Sequence, residues 1–276
     1  MKRRHFITLG AAAGIGSPLL RSSASRAAQG PEWRPDGMGS VARIGVLTPD
    51  SDPVPESEMS AMAPHGISIH GSRVGREPGF PRAFAQPPFV DTAVELLAGL
   101  APRVILFAFT SSSYALGADT DKAVRARLEA RSGKIPVLFT CPAATEALRI
   151  LGARRIVLIH PPWFTEDMNA QGANYFGSQG FDVVRSTRIS PSRSFTEVPP
   201  AEVYEWTKLN VPDQADAVFI GGNGLRAIGA IHALEKALRR PVLTANQVLL
   251  WQALGLVGVA SKVTQYGRVF TRQPAR

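Results

Sequence analysis

The feature that most constrains this fold is a repeated alternation of short apolar runs with helical stretches. Most of the runs end at a cluster of Gly, Pro, Ser or Thr, and most are followed by residues with helical periodicity. Continuous apolar runs of this kind are typical of parallel strands that are buried on both faces. The pattern therefore predicts an α/β fold with parallel sheets. The predicted strands are residues 44–47, 104–109, 137–139, 156–159, 218–220 and 242–243.

Helices are predicted between these strands from the spacing of apolar residues. Asp119, with Asp121 in the first turn, is expected to start one helix, and Asn246 is a candidate N-cap of another. The segment 50–88 holds seven prolines and one strand-like run, residues 67–74. We expect it to contain a loop that covers a site. The predicted helices are residues 91–100, 119–131, 145–151, 167–178, 202–209, 225–238 and 246–256.

The first residues have the pattern of a targeting segment. Arg3 and Arg4 precede an apolar stretch, residues 6–20, which glycines and a proline interrupt and which small residues follow up to Ala28. The stretch is too short to span about 30 Å of hydrocarbon, so we expect no stable membrane anchor. It resembles a twin-arginine export signal, which implies the twin-arginine translocation machinery as a partner and a periplasmic or otherwise exported mature chain. An ordinary basic N-terminus is the alternative. The predicted segments are residues 1–28 for the signal peptide, 29–41 for a linker and 42–276 for a two-lobe α/β domain.

Composition allows a large core and argues against a nucleic-acid partner. The chain has 276 residues, of which 45% are hydrophobic. Basic residues exceed acidic ones by 9, but five of the basic residues precede residue 29, where no acidic residue occurs, so an excess of only 4 remains. That excess is ordinary for a soluble domain. The single cysteine, Cys141, has no partner for an internal disulfide.

Two loops stand out as a candidate binding site. Residues 110–113 and residues 221–224 are small, hydrogen-bonding residues that each directly follow a predicted buried strand. In open α/β sheets, ligands bind at the carboxyl ends of the strands. Because the two loops lie in different halves of the chain, we expect two similar half-domains that face each other across a cleft.

Common catalytic motifs are incomplete in this sequence. Residues 222–227 match a dinucleotide-binding glycine pattern, but no acidic residue follows about twenty positions later to hold a ribose. A dehydrogenase is therefore a distant alternative. A serine-hydrolase nucleophile elbow is absent. No His or Cys cluster has metal-binding spacing, so we expect no metal and no cofactor.

Cys141 and His160 are the candidate catalytic residues. Cys141 lies between a predicted strand and a predicted helix, and a helix N-terminus lowers a thiol pKa. His160 ends a buried strand at the edge of the expected cleft, which makes it a candidate for acid-base work. An inert buried thiol and a structural histidine are the alternative interpretations.

Seven short segments, taken in order, resemble one branch of the aspartate/glutamate racemase superfamily, that of maleate isomerase and arylmalonate decarboxylase. The similarity extends from about residue 43 to residue 270. The segments are residues 43–52, 110–112, 140–144, 166–169, 221–224, 246–251 and 266–268.

The resemblance implies two Rossmann-like lobes related by a pseudo-two-fold axis, with a small (di)carboxylic acid bound between them and no cofactor. It also implies an isomerase or decarboxylase in which hydrogen-bond donors stabilise an enediolate-like intermediate and a cysteine acts at the carbon alpha to the carboxylate. Carried over by position, the substrate-binding residues are Pro49, Ser51, Asp52, Phe109, Thr110, Ser111, Trp163, Asn169, Gly222, Asn223 and Gly224.

This sequence departs from the family pattern at the catalytic positions. Phe109 and Gly222 occupy the places of the two cysteines, and neither side chain can transfer a proton. Asp52 replaces an asparagine, and its charge would repel a carboxylate unless Asp52 were protonated or rotated away. The pocket tyrosine is replaced near Trp163.

Two main hypotheses follow. The first is an enzyme in which Cys141 or His160 supplies the acid-base chemistry, and the second is a non-catalytic exported protein that binds a carboxylic acid. The glycine at position 222 and the aromatic side chain at position 109 also suggest a ligand with an aryl group. A homo-oligomer of the chain is an open alternative in either case.

Overall fold

The computed structural model describes residues 36–190, 198–259 and 263–274. The predicted signal peptide, residues 1–28, and most of the predicted linker lie outside these ranges. Both therefore stay predictions. Within the described ranges, no helix combines the length and apolar character that a membrane crossing requires.

The first lobe is a four-stranded parallel sheet with the order β2-β1-β3-β4. Ile44 of β1 pairs with Ile69 of β2 on one side and with Val104 of β3 on the other. The strands are β1 (Ala42–Pro49), β2 (Ile67–Val74), β3 (Val104–Phe107) and β4 (Val137–Phe139). The helices before β4 are α1 (Val54–Met62), α2 (Phe89–Ala98), α3 (Thr110–Leu116) and α4 (Ala118–Arg131).

The second lobe repeats this arrangement with the order β6-β5-β7-β8. The matching strand orders confirm the predicted α/β architecture of two Rossmann-like lobes. The strands are β5 (Arg155–His160), β6 (Asp182–Arg188), β7 (Ala217–Ile220) and β8 (Val242–Thr244). The remaining helices are α5 (Thr140–Ile150), α6 (Glu166–Ser178), α7 (Pro200–Asn210), α8 (Ile231–Leu238) and α9 (Ala245–Leu256), with a 3-10 turn at Ile228–Ala230 before α8.

The inner strands of both sheets are buried on both faces. Leu106 of β3 and Leu158 of β5 point into one central core, which α5 and α9 fill and which contains the buried Trp251. Their neighbours Phe107 and Ile159 point into separate outer cores, one in each lobe. This alternation explains why the strands read as continuous apolar runs. The shared core fixes the two lobes against each other, so the loops at their strand ends have a defined spacing.

Several elements differ from the prediction. The proline-rich segment 50–88 contains α1, whose first turn holds Pro55, a position where the missing N–H costs no hydrogen bond. The strand predicted at 104–109 ends at Phe107, and α3 follows it directly. The strand β6 was not predicted, because its charged residues and partial exposure give it no apolar run.

Two helix starts also differ. The helix predicted from residue 145 begins at Thr140, and the one predicted from residue 225 becomes α-helical only at Ile231. Asn246 does not cap α9. The helix starts one residue earlier, and the backbone N–H of Thr244 donates to Gln247 Oε1 at 3.0 Å, as in a capping box. The Asn246 side chain instead donates a hydrogen bond to Glu58.

Candidate functional site

A cavity of about 700 Å³ lies between the lobes, where the carboxyl ends of strands from both sheets meet. Nine of the residues predicted to bind substrate line it. They come from the loops after β1, β3, β5 and β7, as expected for ligand sites in parallel α/β sheets. These residues are Pro49, Ser51, Asp52, Phe109, Ser111, Trp163, Gly222, Asn223 and Gly224.

One wall of the cavity is aromatic. The Phe109 ring lies with its centroid 4.8 Å from that of Phe80 and 4.5 Å from that of Phe84. Phe80 and the adjacent Pro81 line the cavity and belong to the segment 50–88, which was expected to cover a site. Trp163, 46% exposed, adds a further apolar surface. This wall suits an apolar substituent of a ligand.

Another part of the cavity wall offers hydrogen-bond donors. Gly222 adopts φ +85°, which turns the chain after β7 so that the next residues face the cleft. Among the described residues, the backbone N–H groups of Asn223 and Gly224 have no hydrogen-bond acceptor. The Ser111 hydroxyl likewise has no partner in those ranges. Adjacent amide N–H groups beside a hydroxyl are suited to binding a carboxylate.

A hydrogen-bond network joins the lobes directly behind this wall. Asn223 Oδ1 accepts from the backbone N–H of Thr110 at 2.9 Å and from its hydroxyl at 2.7 Å. Thr110 Oγ1 in turn accepts from the backbone N–H of Gly222 at 3.2 Å. Asn223 therefore acts as a capping residue for α3 from the other lobe, since Phe109, the N-cap of α3, makes no side-chain cap bond.

Glu58 of α1 anchors the network from the first lobe. Its carboxylate accepts from the Asn246 amide at 2.8 Å and from the backbone N–H groups of Ala227 at 2.7 Å and Ile228 at 3.1 Å. Asn246 Oδ1 accepts from Asn223 Nδ2 at 2.9 Å, which completes the link to the cavity loop. Burial raises the pKa of Glu58 to about 7, although these three donors favour the charged form.

Charged side chains are concentrated on the cavity wall. Asp52 is half-buried, and its Oδ1 accepts from the backbone N–H of Val54 at 3.0 Å. Burial raises the pKa of the Asp52 carboxyl group. Arg76 from the first lobe and Arg226 from the second also line the cavity. Both are exposed, and they give the cavity a positive side that attracts anions.

Cys141 and His160 lie behind the cavity wall and do not line it. Cys141 is fully buried, with Sγ 3.9 Å from the carbonyl oxygen of Thr110. The expectation of a lowered thiol pKa was wrong: burial raises the pKa of Cys141, and Asp121 nearby raises it further. Desolvation outweighs the effect of the helix N-terminus at this position.

The surroundings of His160 indicate a structural role. It is fully buried, stacks on Phe164 with ring centroids 5.5 Å apart, and hydrogen-bonds through Nε2 to Ser186 Oγ at 3.2 Å. Burial lowers the pKa of His160 to about 3, so the imidazole stays neutral near pH 7. Neither His160 nor Cys141 lines the cavity, so neither side chain is placed to contact a ligand there.

Thr110 and Asn169 are the other predicted residues that do not line the cavity. Thr110 is buried in the network described above, one residue from the wall. Asn169 is buried in α6, where its backbone carbonyl accepts from Ser186 Oγ at 3.0 Å. The roles of Glu58 in the network and of Arg76, Phe80 and Arg226 in the cavity wall were not predicted from the sequence. Only the helix carrying Glu58 had a usable signal, the proline in its first turn.

The described residues contain no group of three or more His, Cys, Asp or Glu side chains placed to hold a metal ion. The donors of the cavity are backbone amides, a hydroxyl and guanidinium groups. They can bind an anion and stabilise negative charge on it.

Comparisons with known proteins agree with this geometry. The chain is 23% identical to a maleate isomerase from Alcaligenes faecalis over 245 residues, which are 83% of this chain and 96% of that enzyme. It is 25% identical to an arylmalonate decarboxylase from Bordetella bronchiseptica over 166 residues, 58% of this chain and 68% of that enzyme. A maleate cis-trans isomerase from Nocardia farcinica, solved as a cysteine-to-serine variant with a covalently bound succinylcysteine intermediate, superposes with a TM-score of 0.74 at 22% identity, covering 83% of this chain and 97% of that one.

The family match covers the loops that form the site. A sequence model of the arylmalonate decarboxylase family matches residues 85–270, which include the cavity loops after β3, β5 and β7. That range is more than half of the chain. The protein therefore belongs to the arylmalonate decarboxylase family.

Proposed function

We propose that this protein binds a small dicarboxylic acid of the malonate or maleate class in the cavity between its lobes. One carboxylate accepts hydrogen bonds from the backbone N–H groups of Asn223 and Gly224 and from the Ser111 hydroxyl. An apolar substituent packs against Phe80 and Phe109. The observation that carries the proposal is that one cavity is lined both by donors that have no acceptor among the described residues and by the rings of Phe80 and Phe109.

The same donors would stabilise an enediolate formed from the bound acid, because they point to the carboxylate where negative charge accumulates. Such chemistry needs no cofactor. It would also proceed without a thiol, because Cys141 is the only cysteine in the sequence and lies buried behind the wall. This differs from the Nocardia farcinica enzyme, in which a succinylcysteine intermediate has been seen.

The second candidate function is binding without catalysis. The burial of the only thiol favours it, since none of the described side chains that line the cavity is a cysteine or a histidine. A carboxylate-binding protein would keep the donor wall and the aromatic wall and would need no acid-base residue.

The two functions are separated by incubating the chain with phenylmalonate or maleate in deuterated water. An enzyme produces deuterium incorporation, phenylacetate or fumarate above the protein-free rate, detected by NMR, whereas a binding protein gives only a thermal shift.

We expect Cys141→Ala to change neither turnover nor the ligand-induced thermal shift. Ser111→Ala should weaken binding roughly 10-fold to 100-fold, because a hydrogen bond to a charged group contributes about 1.5–3 kcal/mol. Loss of both turnover and the thermal shift in Cys141→Ala would show that the thiol takes part in the function. No shift or turnover with either acid, together with unaltered behaviour of Ser111→Ala, would contradict the proposal.

We further infer that the chain is exported by the twin-arginine route and works in the periplasm. The support is the arginine pair Arg3 and Arg4 before an interrupted apolar stretch. In a bacterial host with this pathway, Arg3→Lys with Arg4→Lys should retain the protein in the cytoplasm, as measured by cell fractionation. A periplasmic pool of the double variant equal to that of the wild type would overturn the inference.

A further inference from the structure

The Asp52 carboxyl group lies where the cavity loops of the two lobes meet. Its Oδ2 is 2.8 Å from the position that a Cβ atom would take on Gly224, so it reaches across the cleft to the main chain of the second lobe. Its Oδ1 is fixed by the backbone N–H of Val54. A carboxylate that binds to the free N–H of Gly224 therefore comes into contact with Asp52.

Arg73 and Arg76 favour the ionised form of Asp52, but burial has the larger effect and raises the pKa of its carboxyl group. Arg73 forms an ion pair with Glu56, and Arg76 donates to Ser51 Oγ and lies 3.8 Å from an oxygen of Asp50. Within the described residues, Asp52 itself forms no ion pair with an arginine or a lysine.

A second carboxylate, that of Glu58, lies behind the same loop. Burial has the largest effect on both acids and raises the pKa of each. In addition, the charge of Asp52 raises the pKa of Glu58, and the charge of Glu56 raises the pKa of Asp52. Arg226 also lines the cavity but is exposed to solvent. Asp52 on the cavity wall thus has acidic neighbours before an anionic ligand arrives.

We propose that Asp52 takes up a proton from solvent when the ligand binds and, as a neutral carboxyl group, donates a hydrogen bond to the ligand carboxylate, so that each ligand binds together with one proton. The proposal rests on the function proposed above and assigns Asp52 as a specificity-determining residue. The proton comes from solvent, is held on Asp52 and is shared with the bound carboxylate. The donor wall then binds one oxygen of that carboxylate while Asp52 binds the other. Two ionised carboxylates at this distance would repel each other.

The test is isothermal titration calorimetry of the full domain with phenylmalonate and with maleate. Each titration is run at about pH 6 and about pH 7 in MES and in imidazole, two buffers that differ in ionisation enthalpy. The difference in heat between the buffers gives the number of protons bound per ligand. We expect the wild type to take up nearly one proton and its affinity to fall as the pH rises.

Asp52→Asn is the decisive variant, because the amide still donates a hydrogen bond but cannot take up a proton. We expect it to bind with no proton uptake and with an affinity that no longer depends on pH. Asp50→Asn is the matched control: Asp50 is an exposed neighbour in the same loop that does not line the cavity, and its variant should behave like the wild type.

The outcomes separate this inference from the proposed function. Binding by the wild type without proton uptake overturns the inference and leaves the proposed function intact. Uptake that persists in Asp52→Asn but is lost in Glu58→Gln also overturns it, since the proton would then belong to Glu58. Absence of binding of either probe by the wild type overturns the proposed function and this inference with it.

Discussion

Replacing Glu58 with alanine is expected to lower the free energy of unfolding by about 3–5 kcal/mol at about pH 5. The substitution leaves two buried donors, the backbone N–H groups of Ala227 and Ile228, without an acceptor. It also removes one of the two acceptors of the Asn246 amide, which keeps its bond to the backbone carbonyl of Asn223. It also breaks the link between α1 and the cavity loop of the second lobe. Urea unfolding followed by circular dichroism measures the effect. The matched control is Glu56→Ala in the same helix, whose partner Arg73 is a surface residue, so a loss below about 1 kcal/mol is expected.

The effect of Glu58→Ala should also depend on pH. The pKa of Glu58 is about 7 in the folded chain against an ordinary value of 4.5, so the folded state binds this proton more tightly than the unfolded state. The stability contributed by the proton is complete below about pH 4.5 and is lost as the pH rises through about 7. The difference between wild type and Glu58→Ala should therefore shrink by about 2 kcal/mol between about pH 5 and about pH 8. A constant difference, or one no larger than that of Glu56→Ala, would contradict the role given to Glu58.

Placing a cysteine at position 222 is expected to destabilise the protein by about 2–5 kcal/mol and not to create a working thiol. Gly222 has φ +85°, a conformation that costs a residue with a Cβ atom about 1–2 kcal/mol. A Cβ atom there would also lie 2.2 Å from Pro161 Cγ, which forces one of the two loops to move. Thermal unfolding measures the loss, and thiol titration of the folded protein reports whether the new side chain is accessible.

Gly117→Cys separates the two causes. Gly117 has φ +82° and ψ 164°, a conformation almost restricted to glycine, and a Cβ atom added there meets nothing within 4 Å, so only a backbone cost of about 1–3 kcal/mol is expected. If Gly222→Cys unfolds at the wild-type temperature and its thiol reacts readily, Pro161 does not block the position.

The inner strands could be predicted from sequence because both of their faces are buried. Runs such as Val104–Phe107 and Ala217–Ile220 are apolar at every position, since successive side chains enter two different cores. The half-exposed edge strand β6 has no such run, and sequence periodicity alone does not reveal it. The helix α1 was missed for a different reason: its prolines suggest a loop, although a proline in the first turn of a helix is tolerated.

The cavity wall could be predicted in outline, because ligands bind at strand ends in this class of fold and the resemblance supplied the loop residues. What could not be predicted is how those residues are used. Asn246 was expected to cap its own helix but bonds Glu58 and Asn223 instead. Cys141 was expected at an activating helix N-terminus, but its burial has the larger effect. Contacts between residues more than 100 positions apart, such as Thr110 with Asn223, leave no trace in local sequence patterns.

The cap that Asn223 provides for α3 has a mechanical consequence. If the lobes moved apart like the two halves of a hinge, the first backbone N–H of a seven-residue helix would lose its acceptor and the helix would begin to fray. Wide opening is therefore coupled to partial melting of the segment that carries Ser111. Small ligands are therefore expected to enter by displacing exposed side chains of the cavity wall, such as Arg76 and Trp163. The hydrogen bonds between the lobes stay intact during this movement.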